Sequence, residues 1–213
     1  MMDGANTTGA ARYDAVVFDL LTALIDSWSL WNDIAGTPEA GLRWRRKYLE
    51  LTYGCGSYRP YETLVAQAAE ACGFPVDWAQ ALAERQAELT CWPEAQGVLA
   101  QLAGKVPLGI ATNCSRTLGA IAVARTGTDF AAVVTAEDAG YYKPRPEPYR
   151  AVLEKLGVDP ARTLFVAGSA SDVPGARGVG MSVYWHNRMG LRPVDAARPD
   201  YIADSLDPLL KLV

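Results

Sequence analysis

The chain has 213 residues, half of them hydrophobic, enough for one domain with a real core or a core plus a modest insert. A formal net charge of -4, with acids and bases interspersed, argues against a nucleic-acid partner, and no apolar run approaches membrane-spanning length. The single histidine, His186, excludes mechanisms built on several histidines and leaves acid–base work to Asp, Lys, Tyr, Ser or water.

Residues 1–11 are small and polar, lack a signal-peptide core and are expected to form a frayed terminus. Ala15-Val16-Val17-Phe18-Asp19 closes a buried strand expected over 13–19 and sets a carboxylate at its end. Residues 27–91 read mostly helical, over 40–52, 60–72 and 77–88, with turns at Gly54-Cys55-Gly56-Ser57 and Gly73-Phe74-Pro75. The only basic cluster, Arg43-Trp44-Arg45-Arg46-Lys47, falls on the first of these helices. Pro93-Glu94 opens a helix over 95–102. A strand over 107–112, a helix over 115–124, a strand over 132–135 and a helix over 148–156 ending at Gly157 follow. Strands over 163–168 and 181–185 complete the series.

This alternation implies an α/β fold: a Rossmann-like core with a parallel sheet covered by helices on both faces. The helical block reads as a cap inserted after the first strand, giving a core of residues 12–26 and 92–213 and a cap of residues 27–91. Asp19, Thr112 and Gly168 then lie at carboxyl ends of strands, where open α/β sheets bind ligands. The cysteines, Cys55, Cys72, Cys91 and Cys114, form no CxxC pair. That argues against zinc or a redox motif and fits reduced thiols in a cytoplasmic protein.

Four separated segments carry the chemistry. They are Phe18-Asp19-Leu20-Leu21-Thr22-Ala23-Leu24-Ile25-Asp26, Thr112-Asn113, Lys143-Pro144 with Tyr149 six residues after the Lys, and Phe165-Val166-Ala167-Gly168-Ser169-Ala170-Ser171-Asp172. In this order they resemble the motifs of the haloacid dehalogenase (HAD) superfamily, and within it the L-2-haloacid dehalogenase branch, from Tyr13 onward. The resemblance implies that Asp19 attacks carbon and forms an ester. It puts Leu21 where the family has an aromatic residue beside the substrate, and it counts Trp44 and Tyr149 with Leu21 among the substrate-binding residues. Ala23 replaces a motif threonine, and Thr22, one place out of register, is the nearest hydroxyl.

On the same basis Trp44-Arg45 resembles the family's Trp-Arg segment, with Arg45 accepting the leaving halide. A guanidinium suits that role because it stays charged when buried. Trp28, Trp31 and Trp44 either wall a small pocket or serve packing. Thr112 and nearby amides are expected to bind a substrate carboxylate and Asn113 to face the leaving group, while Asn113 or Ser115 also suits a helix N-cap. Lys143 keeps Asp19 ionised, and Asp172, Lys143 and Ser169 (in place of an absent Asn) position the hydrolytic water. Trp185-His186-Asn187-Arg188 reads as structural support.

Magnesium phosphatases of the superfamily carry acids where Leu21 and Gly168 stand, so no metal or cofactor is expected. The implied function is a metal-independent hydrolase displacing a leaving group at the α-carbon of a small carboxylic acid. The simplest substrate is an (S)-2-haloacid. Departures at Leu21, Ala23, Ala167, Gly168, Ser169 and Ser171 leave three alternatives open: ring-opening of azetidine-2-carboxylate, a phosphatase with a degraded metal site, and a non-catalytic binding protein. The resemblance further implies a homodimer.

Overall fold

The computed structural model describes residues 12–194 and 196–213, so the expectation for residues 1–11 lies outside the described residues. Six strands form one parallel sheet: β1 (Ala15–Phe18), β2 (Leu108–Thr112), β3 (Ala132–Thr135), β4 (Thr163–Ala167), β5 (Ser182–His186) and β6 (Tyr201–Ala203). Their order is β3-β2-β1-β4-β5-β6, so β1 is central and the winding reverses between β1 and β4. A crevice at the carboxyl ends of these two strands is the binding place such topology creates.

Each central strand is buried on both faces, and side-chain alternation sorts its residues between two cores. Val16, Phe18, Ile110, Leu164 and Val166 join one core, which continues into α5 (Ala95–Ala103) and α6 (Arg116–Thr126). Val17, Ala111, Phe165, Ala167 and Val183 join the other, under α8 (Pro146–Leu156) and α9 (Asp172–Gly178). Truncating a fully buried aromatic such as Phe165 to Ala would cost about 3–5 kcal/mol.

Between β1 and β2 the chain forms α1 (Ser27–Ala35), α2 (Pro38–Gly54), α3 (Tyr61–Ala71) and α4 (Asp77–Glu84). Asp26 caps α1 by accepting from the Ser29 amide, and Thr37 with Pro38 opens α2. Gly41 lets α2 approach α1 closely: a Cβ there would lie 2.3 Å from Asn32 Oδ1. The insert leaves and returns through one narrow stem. Ile25 bridges Cys91 antiparallel, Asp26 N donates to Thr90 O at 2.8 Å, and Trp92 N donates to Leu24 O at 2.9 Å.

Some elements differ from expectation. α2 is longer than the helix expected over 40–52 and ends at Gly54, the first residue of the expected turn, and the helix expected over 77–88 breaks at Arg85 into a 3-10 turn. α1, the short α7 (Ala136–Ala139), α9 and β6 carry weak local signals. α9 contains Pro174 and Gly175, and β6 is a three-residue edge strand whose Ile202 is exposed. Tertiary packing decides such segments.

Candidate active site

The carboxyl end of β1 delivers Asp19 directly into the crevice, where it is 5% exposed. The chain then turns tightly, and three donors converge on Asp19 Oδ2: Thr22 N at 3.0 Å, Thr22 Oγ1 at 2.5 Å and Ala23 N at 3.2 Å. Thr22 therefore does supply the hydroxyl that its register made uncertain. The turn brings position i+3 back onto the strand end, so Asp-x-x-Thr works where the motif threonine at position 23 is missing. The other oxygen, Oδ1, accepts from Lys143 Nζ at 2.8 Å.

Lys143 comes from the loop between α7 and α8 and is 2% exposed. Asn113 fixes that loop from both sides: Lys143 N donates to Asn113 Oδ1 at 2.7 Å, and Asn113 Nδ2 donates to Lys143 O at 2.9 Å. Both polar ends of the Asn113 amide are thereby engaged. It lines the cavity, but its amide faces Lys143 rather than a leaving group. Lys143 Nζ also donates to Asp172 Oδ2 at 3.1 Å, and Tyr149 donates to Asp172 Oδ1 at 2.8 Å.

One ammonium thus sits between two buried carboxylates, whose environments differ. Burial pushes the Asp19 carboxyl up, but the Lys143 charge and the Thr22 donors outweigh it and hold Asp19 below its ordinary value. Burial likewise pushes Asp172 up, and Lys143 does not offset it, so Asp172 stays above its ordinary value. Burial opposes the charge on Lys143, yet Asp172 and Asp19 together raise it. The arrangement is an ionised carboxylate aimed into a cavity beside a more basic one.

The opposite wall comes from the helical insert. Arg45, on α2, is 8% exposed and stacks over Trp28 with its guanidinium carbon 4.1 Å from the ring centroid. Arg45 Nη1 donates to Ser27 Oγ at 2.9 Å, and among the described residues no carboxylate pairs with it. Burial pulls its pKa down from a very high reference, so the guanidinium remains charged. A buried cation with only neutral partners favours an incoming anion.

Between these walls lies a cavity of about 80 Å³, room for one small organic acid or a few waters. Asp19, Lys143, Asp172, Ser169, Arg45 and Leu21 all line it. Trp28 and Trp31, read from the sequence as pocket wall or packing, line it too, as do Ser27, Tyr48 and Tyr53, which the sequence reading did not single out. Tyr48 Oη donates to Asn113 O at 3.1 Å, tying α2 to the core. The Tyr53 phenol lies against the hydroxyls of Ser171 and Ser169.

Three expected substrate contacts stand elsewhere. Trp44 is fully buried behind Trp31, with centroids 4.4 Å apart, and its indole N–H donates to Val65 O at 3.0 Å. Helical geometry explains this: adjacent positions on α2 point about 100° apart, so Arg45 facing the cavity turns Trp44 into the insert. Thr112 is fully buried, and its hydroxyl accepts only a long 3.8 Å contact from Cys114 Sγ. Tyr149 is fully buried and acts on Asp172 from behind.

Gly168 bears on a metal. A Cβ at this position would lie 2.3 Å from both Ala23 N and Thr22 Oγ1. A carboxylate here would displace the turn that orients Asp19. Position 21 carries Leu, and the Lys143 ammonium occupies the place between Asp19 and Asp172. The residues present do not fit a magnesium ion, which takes oxygen ligands in near-octahedral array.

A family model described as "Hydrolase: haloacid dehalogenase-like hydrolase" matches residues 13–180. The chain is 30% identical to the (S)-2-haloacid dehalogenase 2 of Pseudomonas sp. (strain CBS-3), over 93% of this chain and 94% of that protein. It is 27% identical to haloacetate dehalogenase H-2 of Moraxella sp. (strain B), over 95% and 98%. Among solved structures, the L-2-haloacid dehalogenase from Xanthobacter autotrophicus with chloropropionic acid covalently bound superposes with a TM-score of 0.79 at 28% identity. That match covers 94% of this chain and 98% of the other.

Proposed function

Because the chain belongs to the haloacid dehalogenase-like hydrolases, an enzymatic family, we propose that it is a metal-independent hydrolase that displaces a leaving group at the α-carbon of a small carboxylic acid, (S)-2-haloacids first. The observation that carries this reading is the pair of facing charges. Asp19 is held ionised by Lys143 and the Thr22 turn, and the unpaired Arg45 guanidinium lies across an 80 Å³ cavity from it.

In this reading Asp19 Oδ1 or Oδ2 attacks the α-carbon in line with the departing group. The new C–O bond forms as the C–X bond breaks, and the bonding pair leaves with X. Arg45 receives the developing anion, and Trp28 beneath it keeps the guanidinium desolvated and fixed. The product of this step is an aspartyl ester with inverted carbon. Asp172, the more basic carboxylate, then takes a proton from a water attacking the ester carbonyl, and Ser169 lines the approach. Collapse breaks the ester C–O bond, the departing alkoxide takes the proton back from Asp172 to give the 2-hydroxy acid, and the remaining proton is lost to solvent as the Asp19 carboxylate is restored. The resemblance also carries a cytoplasmic homodimer, which sedimentation in dilute buffer would test.

The test is turnover in excess EDTA on (S)-2-chloropropionate, chloroacetate and azetidine-2-carboxylate, with Asp19→Asn as control. Halide release unaffected by EDTA and lost in the variant supports the reading. Ring-opening without halide release would keep the mechanism and change the leaving group. Magnesium-dependent phosphate release, or silence on all substrates, would overturn it.

A further inference from the structure

The donors on Asp19 are themselves held by a second layer. Thr22 N belongs to the Leu21–Thr22 peptide, whose carbonyl, Leu21 O, accepts a short hydrogen bond from Ser27 Oγ. Ser27 Oγ in turn accepts from Arg45 Nη1 at 2.9 Å. Ala23 N belongs to the next peptide, whose carbonyl, Thr22 O, accepts from Trp92 Nε1 at 3.0 Å. In a trans peptide the C=O and N–H point opposite ways. Each peptide is therefore pulled from its carbonyl side while its N–H points at the nucleophile. Such bonds in series strengthen one another and fix the peptide plane.

We propose that Ser27 and Trp92 are positioning residues for Asp19, and that Ser27 couples the Arg45 guanidinium to the nucleophile through the Leu21–Thr22 peptide. Both residues flank the stem of the helical insert: Ser27 is the first residue of α1, and Trp92 follows Cys91, which bridges Ile25. Both are nearly buried, and neither bonds to Asp19 itself. The wiring Arg45–Ser27–peptide–Asp19 lets the group that meets the leaving anion fix the orientation of the group that attacks. This inference rests on the proposed attack by Asp19 for its kinetic consequence, but the hydrogen-bond chain stands in the resting protein.

The experiment compares wild type with Ser27→Ala, Ser27→Thr and Trp92→Phe. Two readouts are taken: steady-state kinetics on the accepted substrate, and hydrogen exchange of the Thr22 and Ala23 amides without substrate. Ser27→Ala and Trp92→Phe should each lower kcat about 5- to 20-fold with KM within about twofold, because orientation rather than binding is lost. Exchange at Thr22 should rise about tenfold in Ser27→Ala, and at Ala23 in Trp92→Phe, with other core amides unmoved. Ser27→Thr keeps the hydroxyl and should restore both readouts. Unchanged kcat and unchanged exchange in folded Ser27→Ala would overturn the proposal, as would a uniform rise in exchange across the fold. If wild type turns over nothing, the functional reading fails, and the amide exchange alone decides this inference.

Discussion

The two walls of the cavity are built on different principles. On the core side every polar atom of the reacting group has a named partner: Asp19 meets Thr22, Ala23 and Lys143, and Lys143 meets Asp172. On the insert side the surfaces are aromatic, and the one buried charge, Arg45, has only Ser27 and ring faces around it. A saturated wall orients a nucleophile, whereas an unsaturated one leaves its charge available for something that arrives. In the proposed mechanism this division gives chemistry to the sheet and recognition to the helices.

Breaking the core wall should have the largest effect. Lys143→Met leaves two buried carboxylates without their shared cation. It should lower kcat by about 10³-fold or more and cost about 3–5 kcal/mol of stability, read by initial rates and urea unfolding. Weakening the insert wall should cost less and leave the fold intact. Arg45→Lys keeps the charge but loses the planar stack on Trp28, and should lower kcat about 10²-fold with little change in midpoint.

The pH response sharpens the contrast between the two carboxylates. Asp19 lies below its ordinary value and Asp172 above, so as pH falls Asp172 takes its proton first. Ester formation, which needs ionised Asp19, should therefore persist to lower pH than ester hydrolysis, which needs basic Asp172. Acid-quenched protein should show the covalent adduct by mass accumulating in that window and vanishing at neutral pH. Simultaneous loss of both steps would contradict the split. The smallest effect belongs to Trp44→Phe. It removes the indole donor from the Val65 carbonyl, which keeps its bond within α3, costing about 1 kcal/mol of stability, and should leave kcat and KM within about twofold, measured by thermal melts and kinetics.

The sequence disclosed the core wall better than the insert wall, for a physical reason. Asp19, Lys143, Ser169 and Asp172 lie at or soon after strand ends or in short stiff loops, where spacing along the chain fixes placement in space. A parallel sheet makes those ends converge whatever the rest does. The helical side depends on rotation about each axis, and one residue of phase turned Trp44 away while Arg45 faced inward. Thr22 was visible only as a hydroxyl out of register, because the motif comparison counts positions while the turn folds i+3 onto i. Ser27 and Trp92 had no local signature at all. Their roles exist only because the stem of the insert places them, from outside every motif, against the Leu21 and Thr22 carbonyls of the first one. Gly168 was legible as a missing acid, but the reason for glycine is three-dimensional: the Asp19 turn packs so close that a Cβ would lie 2.3 Å from Ala23 N.

The central claim is that Asp19 attacks carbon and water then attacks Asp19. Single turnover in ¹⁸O-labelled water, with enzyme in excess over (S)-2-chloropropionate, tests it most directly. The account predicts an unlabelled 2-hydroxy acid and one ¹⁸O in the peptide bearing Asp19. Label in the product, with none in that peptide, would mean that water attacks carbon directly and would contradict it.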